Sequence, residues 1–417
     1  MRILKWLFPG MKVKRWIVLN AVSLCIIVLG TIKAVAEFSA NAFPVFGVLI
    51  LILGIFLLIF SVKKMLKSFF TILNPRYEEK KLVEIVYKKR KLSRGQKIVV
   101  IGGGTGLSML LQGLKAYTSN LTAIVTVADD GGSSGRLRKQ FNILPPGDIR
   151  NCLVALAEAE PLMQQLFQFR FQKGTELAGH NFGNLFITVM TELMGSFDEA
   201  IKESSKVLAI SGRVIPMTLK KVSLMAEHTN GKKTYGETNI SNSKVPINSI
   251  HLVPENCLPT NDALVAIAEA EAIVLGPGSL YTSILPNLMV KNIPEAIMAS
   301  QAVKIYVCNV MTQAGETDNY TAYQHLKTIK EHVNCKIIDY CLLNNGTIPE
   351  NYLKKYKEEN AYPVIADIER IEAIGITVIA DNLISTTDYV RHNSEKIASL
   401  IMELLSTLKN KGINFIS

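Results

Sequence analysis

The sequence predicts an α/β protein: a largely parallel sheet with helices on both faces and a small β-rich insertion, preceded by a two-helix transmembrane hairpin. Three observations predict it. Strand-like and helix-like stretches alternate from residue 97 onward, the pattern of βα units that build a parallel sheet. A β-branched run over 97–101 stops abruptly in Gly102, Gly103, Gly104, Thr105 and Gly106. Two apolar runs near bilayer-spanning length fall within the first 62 residues.

The apolar runs predict spans of about 17–36 and 43–62, joined by a short linker with Lys33 and Glu37. A buried hairpin inside a soluble domain is the alternative, and the flanking charges argue against it. Arg2, Lys5, Lys12, Lys14 and Arg15 precede the first run, and Lys63, Lys64 and Lys67 follow the second. The positive-inside rule then sets both ends in the cytoplasm. We expect a multi-pass cell-membrane protein with residues 1–62 as the hairpin and its main domain, 97–417, in the cytoplasm. The linker over 63–96 is basic, with Lys88, Lys89, Arg90 and Lys91 in a row, and suits anionic lipid of the inner leaflet.

Charge also excludes a partner class. The formal net charge is +11, but residues 1–97 hold 18 basic against 4 acidic residues, leaving 28 basic and 31 acidic beyond them. A slightly acidic body lacks the electrostatic footprint of a nucleic-acid binder. The six cysteines (25, 152, 257, 308, 335 and 341) show neither CxxC pairs nor zinc spacing. They read as small buried apolar residues in a reducing compartment.

Along the body, strands are predicted over 97–101, 121–127, 206–211, 272–275, 304–309, 335–340 and 374–379. Helices are predicted over 107–117, 148–159, 183–205, 262–271, 319–332 and 394–410. Between them, 213–257 reads as short strands and turns, with Asn230-Gly231 as a hairpin signal. This is the β-rich elaboration.

Several polar clusters fall where strands end. The first loop, Gly102 to Gly106, would free backbone amides at a helix start, as a phosphate requires. It is not a full dinucleotide fingerprint, since Leu107 stands where a third glycine is expected. The strand over 121–127 ends in Asp129 and Asp130, then Ser133 and Ser134, Arg136 and Arg138. The paired carboxylates suit either Mg²⁺ or ribose hydroxyls. Asp148 reads as a helix cap beside Arg150 and Asn151. His180 sits between Gly179 and Asn181, near Gly183 and Asn184, and reads equally as a structural or a functional residue. Gly276, Gly278 and Ser279 form a second anion-binding candidate at a strand end. Asn309, Thr312 and Gln313 suit sugar hydroxyls or a base edge, and Arg391 suits a diphosphate or is a surface charge. No GxSxG, HExxH or P-loop occurs, and no nucleophile–base pair is evident. Whether the protein is an enzyme stays open, with Asp129 and Asp130 as the catalytic candidates. A nicotinamide oxidoreductase is possible but unsupported.

Taken together, IGGGTGLS, TVADDGGSSGRLR, LPPGDIRNCLVAL, LAGHNFGNLF, GPGSLYTS, CNVMTQAGETDNYTA and DYVRH resemble the CofD-like family of bacterial gluconeogenesis factors. These are UDP-N-acetylglucosamine-binding morphogenesis proteins related to 2-phospho-L-lactate transferase. The resemblance implies a Rossmann-like domain that binds a UDP-sugar and supports cell shape and peptidoglycan synthesis on gluconeogenic carbon sources. By motif it sets Thr105 and its glycines at the phosphates, with Asn309, Thr312 and Gln313 nearby. It sets Tyr356 against the nucleotide sugar and Arg391 near the diphosphate. In the transferase relative, Mg²⁺ would lie on the side of Asp129 and Asp130. Cell-wall synthesis proteins are the implied partners, and a homo-oligomer is expected. Many members begin near the position of Lys97, so the hairpin is a departure.

Overall fold

The computed structural model describes residues 14–73, 79–174, 176–243, 245–386 and 390–411, without the side chains of 69–73, 79–83, 386, 390 and 391. Arg2, Lys5 and Lys12, invoked above for topology, lie outside the described residues. The chain divides into two units, residues 1–90 and 91–417.

In the first unit, α1 (Lys14–Ser39) and α2 (Val45–Leu73) form the hairpin. Both are long and apolar enough to cross a membrane. Helix α2 runs on past the expected end at residue 62, because Lys63, Lys64 and Lys67 are good helix formers and nothing there breaks the ladder. The two helices approach closely. A Cβ at Gly47 would lie 2.2 Å from the Ala34 backbone, and one at Gly30 would lie 2.6 Å from that of Leu51. Within the seam the Ser61 hydroxyl donates to Asn20 Oδ1 at 2.5 Å. The outward face is apolar, with Leu29, Ile32, Phe46 and Phe56 exposed. Helix α3 (Glu79–Leu92) follows the hairpin.

The second unit is built on seven strands: β1 (Ile98–Gly102), β2 (Leu121–Val125), β3 (Arg213–Pro216), β7 (Ala272–Leu275), β8 (Val303–Val307), β9 (Tyr340–Asn344) and β10 (Thr377–Asp381). They pair in parallel in the order β10-β9-β8-β7-β1-β2-β3. Strands β1, β2 and β7 are buried throughout, so their β-branched runs need no alternation. The sheet grows outward in both directions from β1 and β7, and right-handed crossovers therefore put helices on both faces. This is the expected Rossmann-like sheet. Its order reverses between β1 and β7, which opens a crevice beyond their carboxyl ends.

The helices first used here are α4 (Gly104–Leu114), α5 (Gly132–Phe141), α6 (Gly147–Leu156), α7 (Pro161–Gln168), α8 (Phe182–Met194) and α9 (Phe197–Val207). Five expectations need correction. The strand placed at 206–211 is the end of α9 and a turn, because Val207 and Leu208 continue the apolar stripe of Phe197, Ala200 and Ile201. The strand that follows, β3, belongs to the main sheet and not to the elaboration. The strand placed at 335–340 starts only at Tyr340, where pairing with Ile305 begins; Ile337 and Ile338 are buried without joining the sheet. The strand placed at 374–379 is likewise Thr377–Asp381. The single helix expected over 183–205 is two, broken at Gly195, whose φ of +76° ends α8 in a left-handed cap.

The elaboration itself is a three-stranded antiparallel sheet, β4 (Ser223–His228), β5 (Lys233–Tyr235) and β6 (Ile247–Val253), with β4 central. Asn230-Gly231 turns β4 into β5, Gly231 having φ +77°. A short helix, α10 (Glu237–Ser241), follows β5. A last antiparallel pair, β11 (Ile384–Thr386) and β12 (Val390–His392), precedes the helix Ser394–Asn410.

That last helix lies against α4 with no space for a side chain at Gly113. A Cβ there would fall 2.2 Å from the Ser394 carbonyl oxygen, a backbone atom that cannot rotate away. Gly113→Ala is therefore expected to cost about 1–3 kcal/mol through overpacking, read as a lower urea midpoint with unchanged slope.

Candidate functional site

The crevice is assembled from two loops that touch backbone to backbone. After β1, Gly103 precedes α4 in an extended conformation, and Gly104 takes φ +66°, the left-handed region that favours glycine. Gly103 has no side chain to cap α4, and Asp148 takes the Gly104 N–H; the amides that follow carry no side-chain cap. A Cβ at Gly106 would lie 2.5 Å from the Pro277 carbonyl oxygen, and one at Gly103 would lie 2.7 Å from Asp148 Oδ2. After β7, Gly276 turns at φ +78°, and Asn309 holds Gly278 at two points. Asn309 Nδ2 donates to the Gly278 carbonyl at 2.9 Å while its Oδ1 accepts the Gly278 N–H at 3.3 Å. Ser279 caps the following turn by accepting the Thr282 N–H.

Between these loops lies a cavity of about 660 Å³, within the range of small-molecule sites. Gly103, Gly104, Thr105, Gly106, Gly278, Ser279, Asn309, Thr312, Gln313 and Tyr356 line it, so ten of the expected residues converge. Gly102 and Gly276 close strands behind it. Gln313 presents a buried Oε1 with no partner among the described residues. Among the described residues none of the lining side chains is Lys or Arg. Backbone amides are the anion-binding groups this wall offers. A cavity of about 600 Å³ at edge strand β3 lies away from the strand ends that build the site.

The remaining expected residues form a neighbouring cluster. The Gly131–Ser134 stretch, read as loop, is the N-terminus of α5, because Gly131 takes the cap position and small residues fit the close turn. Ser133 Oγ lies 3.1 Å from His180 Nδ1, and Asn184 Nδ2 donates to Ser134 Oγ at 3.5 Å. Asn181 caps α8 by accepting the Asn184 N–H. Asp129 and Asp130 diverge. Asp129 Oδ1 accepts the Gly131 N–H at 2.8 Å, whereas Asp130 Oδ1 accepts from both the N–H and the hydroxyl of Thr238. Arg391 has its backbone in β12, but its side chain lies outside the described residues, as do Asp388 and Tyr389.

Among the wall residues that sequence reading missed are Glu237, Glu316 and His392. Glu316 accepts from Ser241 Oγ at 2.7 Å and from Ser279 Oγ, tying α10 to the second loop. His392 Nε2 donates to the Cys308 carbonyl at 3.0 Å. Burial dominates the electrostatics. It pushes the Glu237 carboxyl up to about 9, with the charges of Asp129 and Asp148 adding to the rise and a Thr282 hydrogen bond opposing it. Burial and Asp129 push Asp148 up to about 6, against the Gly104 N–H and Arg150. Burial also raises Asp129 and Glu316. Glu316 and His392 fell inside quoted segments without being singled out, and Glu237 carried no motif of its own.

Comparison with known proteins fits this geometry. The 2-phospho-L-lactate transferase CofD family matches residues 98–384, from the first residue of β1 into β11. The chain belongs to the CofD family. Among its relatives, the "Gluconeogenesis factor" of Bacillus subtilis is 49% identical over 310 residues, covering 74% of this chain and 98% of that protein. A "Putative gluconeogenesis factor" of Clostridium acetobutylicum is 43% identical over 421 residues, covering 98% of this chain and 93% of that one. The second match therefore extends through α1 and α2. A crystal structure of a UPF0052-family protein from Bacillus halodurans superposes with a TM-score of 0.72 at 48% identity, over 74% of this chain and 99% of that chain.

The raised acids make the site pH-sensitive with a definite sign. Glu237 and Asp148 bind protons more tightly folded than unfolded, so stability falls as pH rises from the ordinary carboxylate range through about 6 and then about 9. Glu237→Gln removes the larger part. Its melting temperature is expected to exceed the parent's increasingly between about pH 5 and pH 9. A constant difference across that range would show that Glu237 does not titrate as described.

Proposed function

We propose that the protein is a membrane-tethered receptor for a UDP-sugar, UDP-N-acetylglucosamine first, acting in regulation of cell shape and peptidoglycan synthesis during gluconeogenic growth. One observation carries the reading. Two glycine loops meet at the switch point of a parallel sheet, and the first opens a helix without an N-cap side chain at a cavity whose wall also bears Asn309, Thr312, Gln313 and Tyr356. Amide ends suit a diphosphate. The orphan oxygen of Gln313 and the hydroxyl of Thr312 suit a base edge or sugar, and Tyr356 offers a ring to stack on. The motif resemblance and the kinship with gluconeogenesis factors support the choice of ligand and role. The exposed apolar faces of α1 and α2, and the basic residues after α2, support the tether.

Titration calorimetry of the full chain in detergent is expected to show UDP-N-acetylglucosamine binding. Tyr356→Ala should weaken it about tenfold, the loss of one stacked ring. No heat with any UDP-sugar would overturn the reading.

A second reading, Mg²⁺-dependent transfer of a phosphate-bearing group, is favoured by the buried acids Asp129, Asp148 and Glu237 beside the loops. A cation relieves such crowding as a proton does. The residues fit only a partly built ion site. Among the described residues no three His, Cys, Asp or Glu side chains gather as a metal cage, and Asp130 is held by Thr238. Mg²⁺ would rest on one or two carboxylates, Asp129 first, and on ligand phosphates, whose charge it would neutralise. Under this reading the chain converts a nucleotide-activated substrate, and Asp129→Asn abolishes product. An unaltered UDP-sugar after hours with Mg²⁺ and acceptors would exclude it.

A further inference from the structure

The cluster around His180 gathers three arginines that the cavity does not use. The segment from Arg170 to Asn181 closes on itself: the Phe171 N–H donates to the His180 carbonyl at 2.9 Å, and the Gly179 N–H donates to the Phe171 carbonyl at 2.7 Å. Arg170 Nη1 then donates to the Gly179 carbonyl at 2.9 Å, and Arg136, on α5, donates from Nη2 to the neighbouring Ala178 carbonyl at 2.8 Å. Arg150, on α6, donates to Asn184 Oδ1 at 3.1 Å and to Asn151 Oδ1 at 2.5 Å. One turn and the start of α8 thus collect a guanidinium from each of three places in the chain.

Such a gathering is unfavourable on its own. Among the described residues none of the three arginines forms an ion pair. Burial, and next the charge of Arg170, draw the Arg150 guanidinium down to about 10, against the pull of Asp148 and Asp129. Burial and the charge of Arg136 lower His180 as well. Among the described residues the Arg150 Nε–H is buried with no hydrogen-bond partner, a donor left over where its desolvation is not repaid. Arg150 is half-buried while Arg136 and Arg170 are exposed, so the cluster has one inner guanidinium and two that meet solvent. Each guanidinium carries five N–H donors, and one or two of them are used here. A phosphate monoester answers this set, with two negative charges and several acceptor oxygens. A carboxylate, with one charge and two oxygens, leaves more of it unanswered. None of the three arginines lines the glycine-loop cavity. Asp148 stands between the two places: it takes the Gly104 N–H of the first loop, and its charge acts on Arg150.

We propose that Arg136, Arg150 and Arg170 form a second ligand site, separate from the glycine-loop cavity, that holds the phosphate of a phosphate monoester. The inference is independent of which ligand the cavity takes.

The test is phosphorus NMR of glycerol 3-phosphate titrated with the full-length chain in neutral detergent micelles, chloride holding the ionic strength constant. Saturable line broadening is expected, and it should persist with UDP-N-acetylglucosamine in excess. Arg170→Gln should weaken binding at least about tenfold, the loss of one charge-assisted pair, and adding Arg136→Gln should remove it. A readout on the parent itself needs no variant to fold: the Arg150 Nε–H proton signal should move with glycerol 3-phosphate and stay in place with chloride. Phosphatidic acid in the micelles distinguishes the sources of the phosphate. A shift with glycerol 3-phosphate assigns the site to a soluble ligand, and a shift with phosphatidic acid alone assigns it to a lipid headgroup. An Arg150 signal unmoved by either would overturn the proposal. So would broadening that excess UDP-N-acetylglucosamine abolishes, which would put the phosphate in the glycine loops, or broadening equal in the parent and the double variant.

Discussion

The site depends on a contact between two backbones. Gly106 and the Pro277–Gly278 peptide lie closer than any side chain would permit, and Gly103 is packed as tightly against Thr126 and Asp148. A parallel sheet whose order reverses will always leave a gap beyond its switch point. Here the absence of Cβ atoms lets both loops enter that gap and share one wall. Asn309 then fixes the second loop by gripping both polar groups of one peptide.

The acids answer to the same geometry. The β-rich insertion is stitched to the sheet by carboxylates at both ends of α10: Asp130 receives Thr238 at one end, and Glu316 receives Ser241 at the other. These bonds bring Glu237 into the wall. Among the described residues the wall bears no lysine or arginine, and several carboxyls lie at or near it, so an anion there would be repelled if all were ionised. Burial keeps Glu237 protonated around neutrality, which lowers that repulsion.

Much of this was legible in the chain. Glycine clusters at the ends of apolar runs announce themselves, because few other sequences need that backbone freedom. The ten residues that converge on the cavity came from such clusters or from motif likeness. What stayed hidden depends on distant contacts. Glu237 follows a minor strand and looks like an ordinary surface acid, and only the fold brings it to a first loop more than 130 residues away in sequence. Strand β3 was hidden for a related reason: four residues ending in proline carry little pattern, and their membership of the main sheet is decided by β2 alongside. The end of α9 misled because two apolar residues fit a strand and a helix stripe equally well.

The cavity wall runs from Gly103 to His392, nearly the whole of the second unit. The apolar hairpin, by contrast, lies N-terminal to all of it. At about 5–20 residues per second, roughly 15–60 s separate emergence of the first loop from that of the last wall residue. The hairpin is thus complete well before the wall is. A product interrupted late in synthesis would carry α1 and α2 with an unfinished cavity.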